Sequence, residues 1–446
     1  MSNPPRNIRQ ELANKHKNNR SSQSQRVRTA TKATTKQHQQ RSEKFRPGAS
    51  TCTPPTPPNN QNKDNTGETK ALTPPPSTHR PITQHTQYMT SLTSETFVFQ
   101  SRGDDMHYHF RDGEALQNTV PAVARLFARA IAMPNLKPPV INAAMAQAYY
   151  QRIKACVPEA CQPFEPLMTL YLTDKTTPAM IVEAKATGLV VACKLYPAGA
   201  TTNSDSGVTD LNNIGPALEK MAEVGMLLLV HGEVTRPDCD VFDKEAKFIE
   251  EQMRPLVAKV PSLRVVMEHV TTSEAVAFVS SGGNNLAATI TPQHLMYNRN
   301  AIFHKGCRPH MYCLPILKRE THRQALVAAV RSGNPKFFLG TDSAPHAKGK
   351  KESSCGCAGC YSAHGALEMY AEVFAAENAL PLLEAFACHY GADYYGLPRN
   401  DGSTCGSVTL TNEPWLVPEE LPFGGEVVVP LKAGEMMQWK GTRLNA

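Results

Sequence analysis

From about residue 96 onward, short apolar runs of strand length alternate with segments of helical period, and the alternation repeats eight times. Strands are expected at 106–110, 130–133, 167–172, 190–195, 227–230, 265–268, 286–290 and 337–339. Helices are expected between them at 120–130, 141–157, 178–187, 213–224, 243–260, 273–280 and 321–332. Gly188, Gly225, Gly282 and Gly333 each stand just before the next strand, where a helix-ending glycine belongs. Eight strand–helix units over roughly 240 residues match the count and length of an α/β fold of the TIM type, a (β/α)8 barrel. A doubly wound open sheet uses the same alternation and is the alternative, with eight units favouring closure. After about residue 392 the pattern changes to short strand-like pieces at 407–410, 426–429 and 436–439, separated by Pro and Gly. These read as a small C-terminal appendage packed on the barrel.

The segment before the barrel has a different character. Residues 1–92 carry 15 Lys and Arg against Glu11, Glu43, Asp64 and Glu68, a net of +11, whereas the whole chain is +7. The remainder is therefore about −4 by difference, and the basic balance describes the leader alone. Nothing in the charge of the folded part points to nucleic acid. The leader is rich in Gln, Asn, Ser and Thr with proline runs at 54–58 and 74–76, and has too few large apolar residues to offset the entropy of ordering. It is expected to be a disordered basic extension, a composition shared by organelle transit peptides. Met89 is a candidate alternative start. The expected organisation is thus an extension at 1–92, a barrel at 93–395 and an appendage at 396–446. The chain's 12 cysteines lack the dense spacing of a disulfide scaffold, which suits a reducing compartment. Cytoplasm is expected, with mitochondrion or plastid the alternative if the leader is a transit peptide. No apolar run approaches the ~18 residues of a membrane-spanning helix.

Polar residues fall at the ends of the expected strands. His107 and His109 alternate with Met106, Tyr108 and Phe110, so both imidazoles should face the barrel interior as a chelating pair. Asn135 follows strand two, Lys194 ends strand four, His231 ends strand five, His269 ends strand six and Asp342 closes strand eight. Any one of these alone reads as a hydrogen-bonded structural residue or a helix cap. Four histidines, a lysine and an aspartate converging on the C-terminal mouth, where barrel enzymes keep their active sites, read as a metal centre. Nitrogen and carboxylate ligands without thiolate suit Zn²⁺ in a catalytic role. A protonated lysine cannot bind a cation, but a buried neutral amine takes up CO₂ to form a carbamate, an anionic bridge between two metals. Lys194 therefore suggests a binuclear site.

Several blocks together resemble the short, monofunctional bacterial and fungal dihydroorotases of the amidohydrolase superfamily. They are the run from Asp105 to Gly113, Met133-Pro134-Asn135, Lys194-Leu195-Tyr196-Pro197, His231-Gly232-Glu233, Glu268-His269, the run from Gly340 to His346, and the run from Glu352 to Cys360. The resemblance implies that His107, His109 and Asp342 bind one zinc, that His231 and His269 bind a second, and that carbamylated Lys194 bridges both. It implies that Arg111, Asn135 and His346 hold a substrate carboxylate and that backbone groups of Leu314 and Ala358 contact a pyrimidine ring. Thr201 and Thr202 would form the tip of a lid. The implied reaction interconverts N-carbamoyl-L-aspartate and L-dihydroorotate in pyrimidine biosynthesis, through a zinc-activated water with Asp342 as proton shuttle, in a homodimer. A hydantoinase or dihydropyrimidinase, sharing metals and mechanism, is the competing class; a carboxylate-free ring would give Arg111, Asn135 and His346 no task. Met106 stands where this family commonly has Trp, and Gly199 where Asn is frequent. Cys355, Cys357 and Cys360 have the spacing of a metal loop but lack a nearby fourth thiolate, so a substrate loop using backbone contacts is expected instead. His294 is expected near the mouth, and His304, His310, His322, His364 and His389 in structural or surface roles.

Overall fold

The computed structural model describes residues 95–445; the 1–92 extension and Met89 lie outside the described residues. A first strand, β1 (Thr96–Phe99), precedes eight parallel ones. These are β2 (Gly103–Tyr108), β3 (Phe127–Ala132), β4 (Glu165–Tyr171), β5 (Val190–Leu195), β6 (Leu227–Val230), β7 (Val265–Met267), β8 (Leu286–Ile290) and β9 (Phe337–Leu339), hydrogen-bonded in that order. The ring closes where Asp342 N donates to His107 O at 2.9 Å and His109 N to Ser343 O at 3.2 Å. Closure rules out the open doubly wound sheet.

Strand periodicity divides the chain's apolar residues into two layers. One set, Ile131, Leu167, Ala192, Leu227, Leu229, Val266, Ala287 and Phe338, packs inside the barrel, where Tyr395 joins it. The opposite faces, among them Leu170, Leu195, Leu228, Val265 and Leu339, pack against the helices in a larger outer core. Moving up the interior rows, Ala192 gives way to Lys194, Leu229 to His231, and Phe338 to Asp342. The same inward-pointing row is apolar at the floor and polar at the mouth.

β2 departs from the expected alternation. Its register shifts between Asp105 and Tyr108, and Met106 belongs to the interior cluster instead of the outer face. Such an irregularity lets neighbouring residues share one face, so Met106 lies inside along with His107. The helix expected at 120–130 is Leu116–Ala124, and β3 has already begun at Phe127. The run Phe-Ala-Arg-Ala favours a helix by propensity, but pairing with β2 and β4 overrides it. The helix expected at 243–260 is interrupted by a π turn at Ile249–Met253, just ahead of Pro255. Proline lacks the N–H that the helix ladder requires there. Gly188, Gly225 and Gly333 are left-handed, whereas Gly282 is extended at φ −74°.

The C-terminal strands are β10 (Ser407–Leu416), β11 (Leu421–Phe423), β12 (Glu426–Val428) and β13 (Met436–Leu444). β10 lies antiparallel between β1 and β13. The sheet at the end of the chain thus takes its third strand from the segment that enters the barrel. Among the described residues, no helix is long and apolar enough to cross a membrane.

Candidate metal centre at the barrel mouth

Three side chains meet at the junction of the first and last barrel strands. His107 Nε2 lies 3.3 Å from Asp342 Oδ1, His109 Nε2 lies 3.1 Å from the same oxygen, and the two imidazole nitrogens are 3.4 Å apart. Among the described residues this is the one group whose ligand atoms all fall within 4.8 Å of one another. His269 and His231 extend the cluster: their rings are 4.8 Å apart, and His269 is 4.9 Å from His107. Four imidazoles therefore form one contiguous wall.

Backbone conformation produces part of this arrangement. His269 (φ 42°), Asp342 (φ 45°) and Arg111 (φ 62°) are all left-handed, a costly state for residues with a Cβ. The turn at His269 aims it at the cluster directly after Glu268, against strand alternation. Its segment is pinned from below by buried Glu245, which accepts from the N–H groups of Thr271 (3.0 Å) and Thr272 (2.9 Å) and from both hydroxyls. Gly340 is obligatory, since a Cβ there would lie 2.7 Å from Thr289 Cβ and 3.1 Å from His107 Cβ.

Three buried carboxylates support the cluster, and none was singled out for such a role in the sequence. Glu268 lies against His107 Nδ1 and 3.6 Å from Lys194 Nζ. Glu233 accepts from His231 Nε2 at 2.7 Å, leaving Nδ1 as that ring's free donor atom. Asp105 accepts from His107 N (3.1 Å), Thr341 N (2.9 Å) and Thr341 Oγ1 (2.6 Å), tying the first strand to the last. Burial pushes the Asp105 carboxyl up to about 7. The signal available in the sequence was only their position one or two residues from a candidate ligand.

Lys194 is fully buried, and its Nζ has no hydrogen-bond partner among the described residues. Burial holds its pKa well below that of an ordinary lysine. Burial likewise pushes His107 down to about 3 and His269 well below the usual imidazole range, so the rings are neutral donors. Burial alone would raise Asp342, but His107, His109 and His269 outweigh it and keep the carboxylate ionised. Imidazoles, a carboxylate, a buried lysine amine and a His269 Nδ1 without a partner among the described residues gather at one barrel mouth, a donor set that could hold a divalent metal ion.

The thirteen residues expected in the site come together, and all but Lys194 and His346 line one cavity of about 20 Å³ with Tyr196, Ala344 and Gly359. Lys194 sits next to it behind Tyr196, its Nζ 5.1 Å from that ring's centre. His346 faces outward beside Arg111, which donates from Nε to Pro345 O (2.9 Å) and lies 3.1 Å through Nη2 from His346 Nε2. The loop at 201–203 is tied to the site: Asn135 Nδ2 donates to Thr202 O (3.1 Å), Asn203 Nδ2 to Asn135 O (3.0 Å), and Thr202 Oγ1 to Ala358 O (3.3 Å). The enclosed space has room for about one water. Across Thr201 and Thr202 lies an outer vestibule of about 650 Å³ lined by Arg111, Leu314, His346 and Ala358.

A larger cavity, about 750 Å³, lies between Leu211, Glu233, Phe248 and Val260. No histidine lines it, and its Arg236 is paired with Glu251, so the larger cavity offers no metal-type donor set. His294 is occupied on both sides, by Thr291 Oγ1 (2.7 Å) and Pro315 O (2.9 Å). Cys355 Sγ is 3.9 Å from Cys357 Sγ, while Cys360 turns away to His310 O.

No family model matches the chain. Among curated proteins, it is 61% identical over 339 residues to a dihydroorotase of Teredinibacter turnerae, covering 76% of this chain and 97% of that protein. Among solved structures, it superposes on the dihydroorotase of Saccharomyces cerevisiae in complex with 5-fluoroorotic acid. The TM-score is 0.72 at 29% identity, over 79% of this chain and 99% of that one. The L-hydantoinase (dihydropyrimidinase) of Arthrobacter aurescens shares the fold at a TM-score of 0.62 and 17% identity, over 78% of this chain and 83% of that one.

Proposed function

The chain belongs to the dihydroorotase family, and from that premise we propose that it interconverts N-carbamoyl-L-aspartate and L-dihydroorotate at the histidine-walled mouth of its barrel. The observation that carries this reading is the juxtaposition of two unlike groups at one barrel mouth, across the inner cavity and its vestibule. One is the metal-type donor set around His107 and Asp342. The other is the trio of Arg111, His346 and Asn135, suited to a carboxylate that a simple cyclic amide lacks.

His107, His109 and Asp342 would hold one zinc ion and His231 and His269 a second, with Lys194, carbamylated by CO₂, joining the two. Zinc bound there supplies Lewis acidity and lowers the pKa of a coordinated water. The remaining work belongs to the chain. Arg111 binds the substrate carboxylate through parallel N–H bonds, while Nε stays anchored on Pro345 O. Asn135 and Ala358 already contact the lid, so substrate capture and exclusion of water are coupled through the same residues. Held in this way, a flexible carbamoyl acid approaches its near-attack geometry. In ring opening, Asp342 takes a proton from the attacking water and returns it to the leaving ring nitrogen; in ring closure it first removes the proton from the carbamoyl nitrogen. Glu268 and Glu233 keep His107 and His231 in single orientations throughout.

The same reading includes a homodimer, a cytoplasmic location and a basic extension at 1–92. The test is metal analysis of the purified chain beside hydrolysis of dihydroorotate and dihydrouracil, with and without bicarbonate. Two zinc ions per chain with turnover of dihydroorotate alone is the expected result. Equal turnover of dihydrouracil would move the chain to the hydantoinase reading.

A further inference from the structure

Buried tyrosine hydroxyls almost always find a partner. Tyr108, Tyr149 and Tyr370 do so here, donating to Thr119 O (2.7 Å), Arg111 O (2.6 Å) and Ile290 O (2.7 Å). Tyr196 is as deeply buried, at 1% exposure, yet its hydroxyl has no hydrogen-bond partner among the described residues. Tyr395 shares this trait, but it sits in the apolar cluster inside the barrel. Tyr196 instead lines the reactive cavity. Its hydroxyl is therefore available to whatever occupies that cavity.

The side chain is rigidly placed. Tyr196 follows the end of β5 two residues beyond Lys194, its ring stacks on Tyr171 (centroids 5.2 Å apart, 27° between planes), and it lies 6.1 Å from the ring of His231. Tyr171 in turn reaches the lid through Asn203 O (3.4 Å). A phenol hydroxyl has one proton to donate, so an acceptor entering the cavity would complete it. Arg111 and His346 are assigned above to the substrate carboxylate. Tyr196 lies beside the metal-type donors, its ring centre 5.1 Å from Lys194 Nζ and 6.1 Å from the ring of His231, where the ring amide would react.

We propose that the Tyr196 hydroxyl is a catalytic hydrogen-bond donor to the substrate oxygen that gains negative charge as the cyclic amide opens or closes. The bond strengthens as charge builds on that oxygen in a pocket shielded from water, which is where a fixed donor acts on the barrier instead of on binding. This role rests on the cyclic-amide reading above.

The test is Tyr196→Phe in the full-length chain, which keeps the stacking on Tyr171 and removes only the hydroxyl. Wild type and variant are compared for kcat and KM on dihydroorotate, zinc content, ¹³C-bicarbonate incorporated at Lys194, and melting temperature. The expected result is a kcat lower by roughly 10²- to 10³-fold, the loss typical of one such donor, with KM changed less than about threefold and the other three readouts unchanged. Wild-type kinetics in the variant would overturn the proposal. Loss of zinc or bicarbonate would also overturn it, by assigning the hydroxyl to the lysine-borne group, and a lower melting temperature would reveal a structural partner. If wild type opens another cyclic amide but not dihydroorotate, the substrate assignment fails separately, and the same kcat comparison is made on that amide.

Discussion

Replacing Arg111 by lysine separates carboxylate recognition from the rest of the site. In the free protein Nε is committed to Pro345 O at 2.9 Å and Nη2 lies beside His346, so the fork is aimed before substrate arrives. A lysine keeps the charge but presents a single point donor on a flexible stem, and loses the Pro345 anchor that fixes direction. Losing one charge-assisted hydrogen bond costs about 1.5–3 kcal/mol, which corresponds to roughly a 10- to 150-fold rise in KM. If the contact serves binding equally before and during reaction, kcat should hold within a few-fold. The assay is steady-state hydrolysis of dihydroorotate with zinc content checked in parallel, because Arg111 lies two residues from His109. Unchanged KM at full metal content would mean that the carboxylate is held elsewhere. A collapse of kcat at unchanged KM would equally refute the reasoning, since it would make Arg111 part of the chemistry.

Asp342→Asn should retain much of the metal through the histidines yet lose turnover by roughly 10²- to 10⁴-fold; stopped-assay rates near wild type would remove Asp342 as the proton carrier. Lys194→Ala should lower bound zinc below two per chain and abolish bicarbonate incorporation, read by metal analysis and mass spectrometry; two tightly held ions in that variant would rule out the carbamate bridge. Glu233→Gln replaces the carboxylate that orients His231 and should weaken zinc binding about 10- to 100-fold in chelator competition; unaltered affinity would leave that bond with no role at the metal.

Much of this could be read from the order of residues alone. Period-two patterning sorts Ala192 and Lys194, or Leu229 and His231, onto one face of their strands, because alternate side chains share a side whatever the strand pairs with. Strands alternating with helices point to a parallel α/β sheet because parallel strands require crossovers, and the count of eight favours the closed barrel over the open sheet. Residue chemistry restricts a buried His, Lys and Asp set to a metal centre before any distance is known. The helix boundary at Ala124 and the break at Ile249–Met253 were not legible, since local propensity competes there with strand pairing and with Pro255.

Only the tertiary structure decided how these pieces meet. Asp105 and Thr341 are 236 residues apart in the chain, and their hydrogen bonds at the barrel seam place His107 and Asp342 on one another. Local periodicity says which side of a strand a residue occupies, but the register of a neighbouring strand sets the partner. The β2 irregularity that puts Met106 beside His107 in the interior, and the left-handed turns at His269 and Asp342, break that periodicity where the site needs it. Those conformations are unfavourable in isolation and persist because the closed barrel holds them. For the same reason the supporting roles of Glu233, Glu268 and Asp105, and the unpartnered hydroxyl of Tyr196, became visible only once distant segments were brought into contact.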